Sequence, residues 1–230
     1  MAKGRFSSRT PTAVALVAAL VLLAALLPMG RQPLAQCPAD SIGLCGVTTV
    51  SSAPSYSVAG CAFNGAGANY NLVAGHLNAG APNPGNDAFV TTWDVYSISG
   101  PDTPNPVQCS AILTVHGHVQ CRGSVSAEIR SGIQAQEMTS PYGQGFGISY
   151  IQTLSLALEV TLGAPITLSL KLHALSPGGT CLGRVNSAGG YGDLSFSLPP
   201  GYIVTSCQGY STSPTASRPS TWGRVKTIYR

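Results

Sequence analysis

The sequence predicts an all-β fold, and three observations carry that reading. From Thr153 to Ala174 the residues alternate strictly between apolar and polar, which is the period of a strand with one dry face. The 27 glycines and 17 prolines recur in short clusters between β-branched and aromatic runs, as turns between strands require. No amphipathic helix longer than about three turns can be read in the body of the chain. Together these predict an antiparallel β-sandwich of jelly-roll or immunoglobulin-like topology.

The elements follow in order. Lys3, Arg5 and Arg9 precede an apolar run from Ala13 to Leu27 that ends at Pro28, the layout of a secretory signal. The run is short of the roughly 20 residues that a helix needs to cross a bilayer. Residues 1–36 are therefore read as a signal helix, cleaved or retained as an anchor. Cys37 follows Leu34-Ala35-Gln36, where Gln36 is a poor neighbour for a lipidated cysteine. Residues 37–210 form the expected β-sandwich domain.

Within that domain the strand candidates are Val47–Ser52, Tyr56–Phe63, Phe89–Ile98, Val107–Val115, Val119–Ile129, Phe146–Tyr150, Leu194–Leu198 and Tyr202–Cys207. Turn clusters such as Pro82-Asn83-Pro84-Gly85 and Pro199-Pro200-Gly201 separate them. Asn64–Asp87, rich in Gly, Ala and Asn, reads as a long loop. Thr153–Ala174 reads as a hairpin about Gly163-Ala164-Pro165. Its nine large apolar residues, each worth roughly 1.5–3 kcal/mol when buried, require a second sheet to cover them. Trp93, between Thr91 and Val95, reads as core. Residues 211–230 form a Ser/Thr/Pro linker and a basic tail, with Arg218, Arg224, Lys226 and Arg230.

Formal net charge is +4, but Lys3, Arg5, Arg9 and Arg31 lie in the export segment. Cys37 to Ser213 carries only Arg122, Arg130, Lys171 and Arg184 against eight acids, so a basic nucleic-acid-binding face is not expected. All 7 cysteines lie beyond residue 36 and none forms a C-x-x-C unit, which predicts structural disulfides of an oxidising compartment rather than a zinc ribbon. Loop length favours Cys37 with Cys45 and Cys181 with Cys207. Cys61, Cys109 and Cys121 compete for a third bridge, and the odd count leaves one thiol over.

Two constellations could carry chemistry. His116 and His118 share one side of a strand with Thr114 and Gln120, while Leu113, Val115 and Val119 face the other way. Such a pair can chelate a metal if a third ligand arrives, with His76 and His173 as candidates. Tyr142, Phe146 and Tyr150 lie in a Gly-rich segment and are candidates for stacking on sugar rings. Tyr70, in the expected loop, and Tyr191 and Tyr202, near expected strand ends, are set aside. The acids are scattered singly, and G-x-S-x-G, H-E-x-x-H and phosphate-binding glycine motifs do not occur. With no complete catalytic constellation the chain reads as a non-enzyme that needs no cofactor.

"GAPITLSLKLHAL" at 163–175 and "SAGGYGDLSFSLPPGYIVTSCQGY" at 187–210 resemble the C-terminal β region of bacterial exported proteins of the PEP-CTERM-associated type. The sequence carries no PEP motif. The resemblance implies a bacterial, exported β-sandwich and assigns no active residue. The expectation is thus a secreted or cell-envelope protein with a structural or interaction role, partnered by a surface polysaccharide or an envelope protein, and touching a membrane only if residues 1–36 stay uncleaved. The alternatives are a carbohydrate-binding module and a metal-binding protein using His116 and His118.

Overall fold

The computed structural model of the protein describes residues 37–212 apart from 46, 60–64, 103–104, 141–145 and 183. The expected signal helix, nearly all of the expected tail, and Tyr142 lie outside the described residues.

The domain is all-β, an antiparallel β-sandwich. Numbered in chain order, the first sheet holds β1 (Asp40–Leu44), β2 (Val47–Ser51), β6 (Asn86–Ser99), β8 (Ser124–Ser131), β9 (Gln134–Thr139), β11 (Pro165–Ser176) and β15 (Ile203–Ser206). Its order is β2-β1-β6-β11-β8-β9, with β15 paired to Tyr96–Ser99 of β6, past the point where β1 ends. The second sheet holds β3 (Ser55–Ala59), β4 (Gly67–Asn71), β5 (His76–Ala81), β7 (Val107–Gln120), β10 (Ile148–Val160) and β14 (Ser187–Ser197), in the order β10-β7-β14-β5-β4-β3. β12 (Thr180–Cys181) and β13 (Arg184–Val185) make a small hairpin.

The alternation at Thr153–Ala174 is present, but its two halves are not a hairpin. β10 pairs with β7 in one sheet, and β11 pairs with β6 and β8 in the other. The Gly163 turn is therefore an arch between sheets. A hairpin would have laid both dry faces on one side of a single ribbon and left them to be covered from elsewhere. The arch turns Leu154, Leu156 and Leu158 toward the same interior as Leu168, Leu170 and Leu172, all of them buried. β11 and β6 pack across this interior on β14, β5 and β4.

The expected loop Asn64–Asp87 is also corrected, since it contains β4 and β5. Their inward residues are Ala68, Tyr70, Leu77, Ala79 and Ala81, all buried, so Tyr70 is core. Small inward side chains allow close packing of the sheets but give little hydropathy contrast. Trp93 is corrected the other way. It sits on the outer face of β6 and is 40% exposed, while Thr92 and Asp94 on either side point inward.

The cysteine pairing differs from loop-length expectation. Cys37 bonds Cys207 and Cys121 bonds Cys181, so neither Cys37–Cys45 nor Cys181–Cys207 forms. The first bridge ties the start of the domain to the turn after β15. The second ties the end of β7 to the β12–β13 hairpin. Proximity in the sandwich, not proximity in sequence, selects the partners. Cys45 is disulfide-bonded as well, and the buried Cys109 is a free thiol whose ionisation burial disfavours. Among the described residues no helix is long and apolar enough to cross a membrane.

Candidate functional site

The outer face of the second sheet gathers the polar and aromatic residues of β10, β7, β14 and β5 in register. One row runs Ile151, His116, Tyr191, Asn78. The row on one side runs Ser149, His118, Gly189, Gly80, and the row on the other includes Thr114, Asp193 and His76. The intervening residues point inward, as the period of a strand demands.

His116 and Tyr191, directly opposite on neighbouring strands, stack with ring centroids 4.5 Å apart and planes 7° from parallel. His76 lies against the same tyrosine at 5.7 Å, and its Nδ1 meets Asp193 Oδ1 at 2.8 Å. His118 Nδ1 meets Ser149 Oγ at 3.1 Å. Ile151, 69% exposed, and Tyr191, 40% exposed, stand beside a shallow cleft of about 760 Å³ that reaches His118, Gly189 and Asn78.

Glycine makes the depression. A Cβ on Gly189 would meet nothing nearer than 3.8 Å, an ordinary van der Waals contact, so the position has room for a small side chain. Gly190 and Gly117 face inward, where space is already taken. A Cβ on Gly190 would lie 2.9 Å from the His116 carbonyl oxygen, and one on Gly117 would lie 2.2 Å from the Tyr150 ring.

The histidine pair lies where the spacing predicts, on one outer face of β7. Neither ring meets a third metal ligand. His116 is stacked, His118 is engaged by Ser149, His76 is held by Asp193, and His173 is on the first sheet, bonded to Asp87 Oδ1 at 2.6 Å. Among the described residues no group of three or more His, Cys, Asp or Glu could hold a metal ion.

The aromatic candidates separate. Phe146 is 68% exposed and lies under the Arg184 guanidinium, 5.3 Å from its ring centre. Tyr150 is half-buried: it lies over Gly117 and packs against the core, and it also lines the first cleft. Burial pushes its pKa up to about 12, a rise that a hydrogen bond with Ser140 partly offsets. The cleft also holds Tyr191, in the middle of β14 and not near its end. The signal for it was the alternation of Ala188, Gly190, Gly192 and Leu194 with Gly189, Tyr191 and Asp193. Glycine on both faces masks that period.

A second cleft, about 650 Å³, lies between the β8–β9 turn and the arch, lined by residues such as Ile133, Glu159 and Thr167. It has no aromatic ring. The first cleft combines a stacked ring pair, apolar Ile151 and several hydrogen-bonding groups, which is what recognition of a small polar molecule with apolar faces requires.

No protein-family model and no curated protein matches the chain. Among solved structures, the chain is similar to TmCBM61 in complex with beta-1,4-galactotriose, at 10% identity and a TM-score of 0.28, over 64% of this chain and 83% of that one. A likeness that distant carries no argument about this site.

Proposed function

We propose that the protein is an exported, non-catalytic binding module that takes a saccharide in the cleft beside Tyr191 and His116. One observation carries this reading: a stacked, half-exposed aromatic pair stands over a glycine-lined depression, with hydrogen-bonding side chains on either side. Sugar rings present apolar C–H faces and a rim of hydroxyls. The first pack on aromatic surface, and the second pair with imidazole, amide, hydroxyl and carboxylate groups. His118, Asn78, Ser149 and the His76–Asp193 pair supply those groups. Disulfides fit an oxidising compartment, and the secretory layout of residues 1–36 and the resemblance to exported bacterial proteins support a partner at or beyond the cell envelope. A surface polysaccharide satisfies both the chemistry and the location.

Binding of the purified protein to an array of oligosaccharides and to insoluble polysaccharides tests the reading. Wild type retains at least one glycan class, and Tyr191→Ala loses it while its thermal unfolding stays near that of wild type. Absence of glycan binding, or binding that Tyr191→Ala leaves intact, refutes it.

A further inference from the structure

The outer face of the second sheet continues past the row Ser149, His118, Gly189 to Gln120, which stands opposite Ser187. Beyond that row the strands end at a tied corner. The Cys121–Cys181 bridge holds the β12–β13 hairpin against the end of β7, and the Arg184 carbonyl oxygen lies 3.8 Å from Cys121 Sγ. The Arg122 backbone N–H donates to Asn186 Oδ1 at 3.1 Å. Two exposed arginines are thereby fixed on one corner.

Phe146 belongs to the same corner, with the Arg184 guanidinium over its ring. The next residue, Gly147, sits against the His118 imidazole, where an added Cβ would lie 2.6 Å from Cε1 and 2.8 Å from Nε2. The Arg184–Phe146 pair therefore stands one residue from the wall of the cleft. From His116 to Gln120 the strand advances about 13 Å, which is longer than one sugar ring.

Charge is segregated along this band. Segments 116–123, 146–151 and 181–191 contain two arginines, two histidines and no acid, in a body where acids outnumber basic residues. Asp193 lies on the far side of Tyr191 and is engaged by His76 Nδ1 at 2.8 Å. Arg130 is matched by Glu128 and Glu137, whereas neither Arg122 nor Arg184 forms an ion pair among the described residues. A guanidinium lying over an aromatic ring keeps its N–H edge available, and that planar fork matches a carboxylate.

We propose that the saccharide of the cleft is acidic, a uronic-acid chain whose carboxylate is gripped by Arg184 above Phe146 while another ring packs on Tyr191 and His116. Arg122 adds attraction at the same corner. The inference rests on the cleft reading and adds to it the class of sugar and the course of the chain, along β7 toward Cys121.

The test is calorimetric titration of the purified protein with oligomers of galacturonate, glucuronate and mannuronate, and with the same chains after their carboxyls are reduced to alcohols. At least one acidic chain binds roughly tenfold or more tightly than its reduced counterpart, and added salt narrows the difference. Arg184→Gln removes most of that advantage and Arg122→Gln a smaller part, both variants melting near wild type because both side chains are exposed. An acidic chain that never exceeds its reduced counterpart, or an advantage that the double variant retains, overturns the proposal. The cleft reading is judged separately, by retention of any glycan, neutral ones included, that Tyr191→Ala abolishes.

Discussion

Gly189 and Gly190 are adjacent on β14 and face opposite ways, so alanine at each reports on a different surface. At Gly190 the new methyl would lie 2.9 Å from the His116 carbonyl oxygen and 3.3 Å from Val125 Cγ1. The oxygen belongs to the backbone of β7, which is paired on both sides by β10 and β14, and it cannot swing aside. Overpacking of this kind costs about 1–3 kcal/mol, and in a protein of this size each kcal/mol lowers the melting temperature by roughly 2–4 °C. Gly190→Ala is therefore expected to melt about 2–12 °C below wild type. At Gly189 the nearest atoms stand 3.8 Å away, which is ordinary contact. Neither glycine needs a left-handed backbone, so Gly189→Ala loses nothing in the folded state and restricts the unfolded chain, a gain of about 0.4–1 kcal/mol. Its melting temperature should equal or slightly exceed that of wild type. Circular dichroism melts of the two variants side by side are sufficient. Equal losses, or a larger loss for Gly189→Ala, would mean that β14 faces the other way and that the cleft is not where Tyr191 places it.

Further outcomes follow from the packing. Tyr150→Phe removes the hydrogen bond between the Tyr150 hydroxyl and Ser140, so chemical denaturation should show a loss of about 0.5–1.5 kcal/mol; a gain would reveal a hydroxyl that makes no such bond. The same substitution changes the pH profile. A tyrosine with its pKa raised from 10 to about 12 contributes its full stability below pH 10 and loses it as pH rises through 12, so the wild-type advantage or deficit relative to Tyr150→Phe should shift against wild type above pH 10; parallel profiles would contradict this. Leu156→Ala and Leu170→Ala, at residues 4% and 1% exposed on the two arms of the arch, should each cost about 2–5 kcal/mol in urea unfolding; a cost below 1 kcal/mol at either would show that its side chain does not face the interior. Peptide mapping without reduction should recover Cys37 linked to Cys207 and Cys121 linked to Cys181, and removing the first bridge should cost about 2–5 kcal/mol because it closes a span of 170 residues.

The fold class was legible wherever large and polar residues alternate. Leu154 to Ala174 announced two half-buried strands, and His116 and His118 fell on the outer face of β7 as their spacing required. Pairing was not legible, because alternation fixes which face is dry and not which strand lies alongside. The arch and a hairpin share one pattern, and only the sheet to which β11 belongs separates them. β4 and β5 were hidden for a different reason. Ala68, Ala79 and Ala81 fill the interior with side chains too small to register as a hydrophobic run, and Gly67 and Gly80 replace polar residues on the outside.

The candidate site was half visible for the same cause. His116 and His118 were found, but their strongest neighbour, Tyr191, sits in a Gly-rich strand that reads as a turn. Tyr150 was chosen for its local setting and lines the same cleft, half-buried over its partner Gly117, 33 positions earlier.

The central claim is that the outer face of β7 and β14 receives a saccharide. Titration of an isotopically labelled sample with an oligosaccharide retained on the array, followed by amide chemical-shift mapping, tests it directly. The account predicts that shifts concentrate at His116, His118, Asn78, Gly189 and Tyr191 and vanish in Gly189→Leu, whose side chain occupies the depression. Shifts confined to the first sheet or to the turns at the ends of the sandwich would contradict it.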